Sequence, residues 1–255
     1  MSDNFIAQLF LFPFFLVFIR LGAAIMIFPG LSDPSISPRI RILLALTASL
    51  VLFPAVYAKM PPLPSQASQL VFLVVVEVMI GLLMAMGARL FIGVMNVAGD
   101  VMSFMSGFQA ATLFDPRSGS ASTAPAAFLI MIATVLVFAL DFHHVMIKAV
   151  IGSYDVLPPG ALPQAADSAA AVVRLIGNMY VVGLKIAAPV MVIGFLTYAG
   201  FGILNRMVPS VQAFFIALPL TITLALFALG VTLGSMLTLY AEEMAAHAII
   251  LFQED

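Results

Sequence analysis

Arg20, Glu77, Arg89 and Lys185 interrupt long apolar stretches, and Asp100 follows in a segment of mixed polarity. These are the side chains best placed to do chemistry, because an unpaired charge at the centre of a membrane helix costs about 2.5–3.5 kcal/mol on insertion scales. Glu77 and Arg89 are twelve positions apart, which on one helix is about 18 Å of rise and about 120° of rotation, so they do not pair. Arg89 and Asp100 are closer in azimuth but about 16 Å apart. Each charge therefore needs a partner on another helix, on another chain or in a water-filled path. Three roles stay open: a structural ion pair between helices, a station in an ion or proton path, and a contact with a neighbouring subunit. For Glu77, Arg89 and Lys185 the expectation is that neighbouring subunits supply the partners.

The second cluster, Asp141, Phe142, His143 and His144 with Lys148, closes the apolar run that begins near 124. Adjacent residues on a helix point about 100° apart, so this pair is poorly placed to share one metal, where an i, i+4 pair would suit zinc. The histidines read as interfacial or capping residues, and no metal or cofactor is expected. No G-x-S-x-G, H-E-x-x-H or lysine-bearing phosphate loop occurs, and the absence of Cys excludes a thiol nucleophile or thiolate metal site. The chain is expected not to be an enzyme. A net charge of −2 with scattered Arg and Lys offers no nucleic-acid surface.

The elements that must hold these residues are apolar helices. Charged residues make up 9% of the chain and hydrophobic ones 63%, with a mean hydropathy of +1.18, whereas a soluble domain carries about 25% charged residues. Apolar runs cover about 5–28, 40–57, 70–94, 124–140, 170–204 and 211–240, each near or above the length of a spanning helix. The expected fold is all-α: a polytopic integral membrane protein of about six hydrophobic helical segments. Pro189, Pro209 and Pro219 predict kinked helices and a hairpin break near 200–209. The segment 96–113 is too polar to span and too apolar for a solvated linker. Met102 and Met105 lie in it, and their flexible thioethers make them candidates to line a gate that must seal around variable shapes. Gly230 and Gly234 form a G-x-x-x-G match that permits close helix packing. Arg39, Arg41, Arg117 and Arg206 against Lys59, Lys148 and Arg174 leave the loop-charge bias nearly balanced.

Taken in order, these pieces carry a family likeness. The carriers are Arg20 with Phe28-Pro29 and Pro38-Arg39-x-Arg41, then Glu77-Val78-Met79-Ile80-Gly81, then Ala98-Gly99-Asp100-Val101-Met102-Ser103 leading to Gly107 and Phe114-Asp115-Pro116. Farther on come His143-His144, Ser153-Tyr154, Leu157-Pro158-Pro159-Gly160, Asn205-Arg206-x-x-Pro209 and Leu218-Pro219-Leu220. Over nearly its whole length the chain resembles the FliR family, the export-gate component of flagellar type III secretion, which is similar to the SctT component of injectisomes.

That resemblance implies a non-enzymatic subunit of a protein-conducting gate in the bacterial inner membrane, within the flagellar basal body. The implied arrangement is a set of kinked helical hairpins inside a larger helical assembly with FliP-like and FliQ-like subunits, alongside FlhB-like and FlhA-like ones. The cargo would be unfolded export substrates, and lipid would contact the outer faces. By the same resemblance, residues 1–164 would be FliP-like and 165–255 a FliQ-like hairpin. A loop at about 103–122 would act as a plug, with Gly107, Phe108, Gln109, Phe114, Asp115, Pro116 and Arg117 as its elements. An injectisome gate subunit and a stand-alone secondary transporter or ion channel are the alternatives.

Overall fold

The structure, a computed structural model, describes residues 10–109, 123–163, 165–208 and 213–252. Seven α-helices occur among them: α1 Phe12–Ile27, α2 Pro38–Val56, α3 Ala67–Ser106, α4 Ala124–Ala139, α5 Phe142–Val156, α6 Ala165–Met207 and α7 Ala213–Phe252. No strand is present among the described residues. Four of the helices are long and apolar enough to cross a membrane, and α4 with α5 makes a fifth if the broken pair is one span. The protein is an all-α polytopic membrane protein.

Its helices begin and end where proline and glycine dictate. Pro13 and Pro38 sit in the first turns of α1 and α2, where their missing N–H removes no helical bond. Gly107 closes α3 with a φ of 81°, a left-handed conformation that glycine adopts without strain. The hairpin break expected near 200–209 falls between Met207 and Ala213, and α6 and α7 run on through Pro189 and Pro219.

Two readings of the sequence need correction. Helix α3 does not end near 94 but continues to Ser106. Its polar residues are tolerated there because Met95, Ala98 and Met102 are buried while Asp100 faces outward. The polar stretch after 140 is also not the tail of the fourth run. Leu140 and Asp141 break the chain, Asp141 at a φ of 55°, and a separate amphipathic helix follows. On α5 the buried residues are Phe142, Met146, Ala149, Val150, Ser153 and Tyr154, a single helical stripe.

The described chain forms two compact units, interleaved in sequence. The first takes Met1–Leu90, Val137–Leu175 and Leu251–Asp255, and the second Phe91–Leu136 and Ile176–Ile250. In the first, α1 packs along α2 and both touch α5. The stripe of α1 that faces this core holds Leu16, Val17, Leu21, Ala24 and Ile25, and Arg20 lies in its middle. In the second, α3 comes close to α4 at Gly99, where an added Cβ would lie 2.4 Å from Ala126 Cα. The Tyr240 hydroxyl of α7 donates to the Phe91 carbonyl at 3.1 Å. Outward-facing side chains are large and apolar on the long helices, among them Val51, Phe195, Phe227 and Val231, as a surface against lipid or other chains requires.

Candidate functional site

Arg20 and Glu77 are both fully buried, and they pair with each other inside the first unit. Arg20 Nε donates to Glu77 Oε2 at 2.6 Å and Nη2 donates to Oε1 at 3.0 Å. This two-pronged geometry is the strongest form of an arginine–carboxylate contact. Nη1 donates to Ser153 Oγ at 3.0 Å, and Nη2 also donates to the Leu157 carbonyl at 3.0 Å. Four hydrogen bonds thus engage four of the five N–H groups of the guanidinium. The Tyr154 ring covers its face, 3.7 Å from Cζ, a cation–π contact. The Ser153 hydroxyl donates in turn to the Val150 carbonyl at 2.6 Å. Three helices and the chain just after α5 therefore meet on one side chain.

The backbone of α3 makes this possible. Gly81 lies one helical turn beyond Glu77, on the same face, and a Cβ there would stand 2.3 Å from the Arg20 carbonyl oxygen. Only a glycine lets α3 approach α1 closely enough for the short glutamate side chain to reach across. Gly81→Val is expected to push the helices apart and lower thermal stability in detergent, by at least the roughly 1–3 kcal/mol typical of overpacking. Gly87, on the same helix with open space around it, is the control: Gly87→Ala is expected to be neutral or slightly stabilising.

The other charges are disposed differently. Lys185 Nζ of α6 lies 3.3 Å from Glu243 Oε1 of α7, half-exposed, in the second unit. The expectation that neighbouring subunits supply partners for Glu77 and Lys185 is therefore corrected: both partners lie within the chain, on helices too distant in sequence to be foreseen. Arg89 and Asp100 are exposed along α3. Arg206 is exposed in the last turn of α6, where a cation complements the helix dipole. Lys59 pairs with Asp155 at the surface of the first unit.

Among the residues taken as gate elements, Met102 is buried and Met105 half-buried within the second unit. Phe108 lines a small apolar niche there with Met102, Ser106, Pro125 and Val190. Gly107 is buried and Gln109 exposed. Phe114, Asp115, Pro116 and Arg117 lie outside the described residues. A Cβ on Gly230 or Gly234 would meet nothing within 4 Å among the described residues, so that face of α7 is open. At the start of α5, the His143 and His144 rings are 4.1 Å apart, closer than divergent side chains on a regular helix were expected to be.

Ser153, Tyr154 and Leu157 are the residues that chemistry-based reading missed as Arg20 partners. The signal was the α5 stripe itself, because a serine among buried apolar positions asks for a hydrogen-bonding partner.

Geometry of this kind holds helices together. The family described as "Bacterial export proteins, family 1" matches residues 11–247. The chain belongs to that family. It is similar to the flagellar biosynthetic protein FliR of Caulobacter vibrioides, with 35% identity over 89% of this chain and 90% of the relative. The FliR of Escherichia coli K12 is 25% identical over 84% of this chain and 81% of its own length. The surface presentation of antigens protein SpaR of Shigella sonnei is 24% identical over 83% and 81%.

Proposed function

We propose that this chain is a non-enzymatic subunit of the flagellar type III protein-export gate, in the bacterial inner membrane. The observation that carries the reading is the 35% identity to a flagellar biosynthetic protein over 89% of the chain. Physical features support it. The buried Arg20 and Glu77 of the first unit neutralise each other in a cluster tied by four hydrogen bonds from the guanidinium, a use suited to rigidity rather than to passing ions. Helices α3, α6 and α7 have 40, 43 and 40 residues. At 40 residues a helix has a contour of about 60 Å, twice the roughly 30 Å hydrocarbon core. That length suits helices packed in a protein assembly that rises beyond the bilayer.

In this reading residues 1–164 act as a FliP-like part and 165–255 as a FliQ-like hairpin. The partners are FliP-like and FliQ-like membrane subunits, with FlhB-like and FlhA-like components and unfolded export substrates. The segment at about 103–122 serves as the plug, with Met102 and Met105 at its root. The exposed Arg89 and Asp100 are contacts for neighbouring subunits. An injectisome gate is the second reading, favoured by the similarity to SpaR.

Extraction in mild detergent with a tag on this chain tests the proposal. FliP-like and FliQ-like chains are expected to copurify, and deletion is expected to abolish flagellar filaments. Recovery of a folded, monodisperse single chain that transports solutes or ions after reconstitution would sink the gate in favour of a transporter. Intact motility with lost effector secretion would select the injectisome.

A further inference from the structure

The break between α4 and α5 carries more polar chemistry than a turn needs. Asp141 occupies the N-cap position of α5 in the left-handed region, yet its carboxylate makes no capping hydrogen bond. Its Oδ1 lies instead 3.4 Å from His144 Nδ1, beyond the roughly 2.7–2.9 Å of a charge-assisted hydrogen bond. His143 Nδ1 is buried with no hydrogen-bond partner, a state that forfeits the solvation of a polar atom without return. One donor atom from each of Asp141, His143 and His144 lies within 4.8 Å of the other two.

We propose that Asp141, His143 and His144 form a binding site for a zinc-class divalent transition-metal ion. Two imidazole nitrogens and one carboxylate oxygen suit such ions, whereas Mg²⁺ and Ca²⁺ favour all-oxygen sets. Bonds of about 2.0–2.2 Å place tetrahedral ligand atoms roughly 3.4 Å apart, a contraction that rotation of three side chains supplies. Asp141 and His144 are exposed, so water completes the coordination shell. Adjacent histidines, unfavourable on a regular helix, are workable here because the third ligand sits on the distorted residue before the helix. A bound ion ties Asp141 to the first turn of α5 and stiffens the break.

The test uses the full-length chain with whatever copurifies in mild detergent, stripped with EDTA and titrated with Co²⁺. One equivalent is expected to give the visible absorption of a low-symmetry nitrogen–oxygen site, displaced by Zn²⁺. Asp141→Gly keeps the left-handed backbone and removes the carboxylate, and His144→Gln removes a nitrogen. Each is expected to weaken Co²⁺ binding at least tenfold, while Asp155→Asn, an exposed carboxylate about three turns farther along α5, leaves it unchanged. Zinc-edge absorption fine structure of the wild-type protein needs no variant and is expected to show two imidazoles. Absence of stoichiometric Co²⁺ absorption, affinities unchanged in both variants, or a zinc spectrum without imidazole overturns the site.

Discussion

Glu77→Leu is expected to be the most damaging single substitution in the first unit, lowering stability by about 3–5 kcal/mol, the range for stripping one member from a buried ion pair. The size follows from what remains. Arg20 would keep its charge, because guanidinium does not deprotonate in proteins, and would retain only Ser153, the Leu157 carbonyl and the Tyr154 ring. Arg20→Met is expected to cost less, since a carboxylate deprived of its cation can neutralise by binding a proton. The double variant Arg20→Met, Glu77→Leu is expected to recover much of the loss, as apolar replacements of buried pairs do. Arg20→Lys should behave like a deletion, because one ammonium cannot reproduce the two-pronged contact and the bonds to Ser153 and Leu157 together. Membrane abundance and thermal unfolding of the four proteins in detergent are the measurements. Equal losses for both single variants with no recovery in the double would show that the pair is not the organising interaction.

Deleting residues 109–118 is expected to leave the export complex assembled but leaky to ions and small solutes. The deletion begins after Gly107 has ended α3, so the packing of that helix in the second unit is left in place. The removed stretch, from Gln109 to Ser118 in the sequence, mixes small and polar residues with Leu113 and Phe114. In lipid any unpaired backbone group would cost several kcal/mol, and in open water the Leu113 and Phe114 side chains would be exposed. A channel interior, where Phe114 packs against a surrounding constriction, suits both halves of that composition. Small-solute permeability of cells carrying the deletion is the readout. A complex that assembles normally and stays sealed would remove the plug from this segment.

Most of the helical plan was legible because hydropathy and proline spacing are local properties. The hairpin between α6 and α7 and the isolation of Arg20 and Glu77 as residues in need of partners could both be read directly. Which charges meet could not be. Arg20 reaches Glu77 across 57 positions and Ser153 across 133, and those distances close only through helix packing that no local pattern encodes. The end of α3 was misread for a different reason. Polarity at Asn96, Asp100 and the buried Ser103, whose hydroxyl donates to the Gly99 carbonyl of its own helix, masked the buried apolar positions Met95, Ala98 and Met102. Helix α5 was hidden because its start carries the polar group Asp141, His143 and His144, which reads as the close of a span. Gly230 and Gly234 show the limit of a short motif: it marks a face that permits close approach without saying what approaches, and among the described residues that face is open.

The reach of Arg20 also sets an order of events during synthesis. At about 5–20 residues per second, roughly 3–11 s separate the emergence of Arg20 from that of Glu77, and Ser153 follows later still. Throughout that interval the arginine of α1 lacks the carboxylate it is built to meet. Helix α1 therefore cannot complete its contacts when it is made; it waits for α3 to bring Glu77 and for α5 to bring Ser153 and Tyr154. The nascent chain is committed to late closure, with α1 among the last elements to be locked.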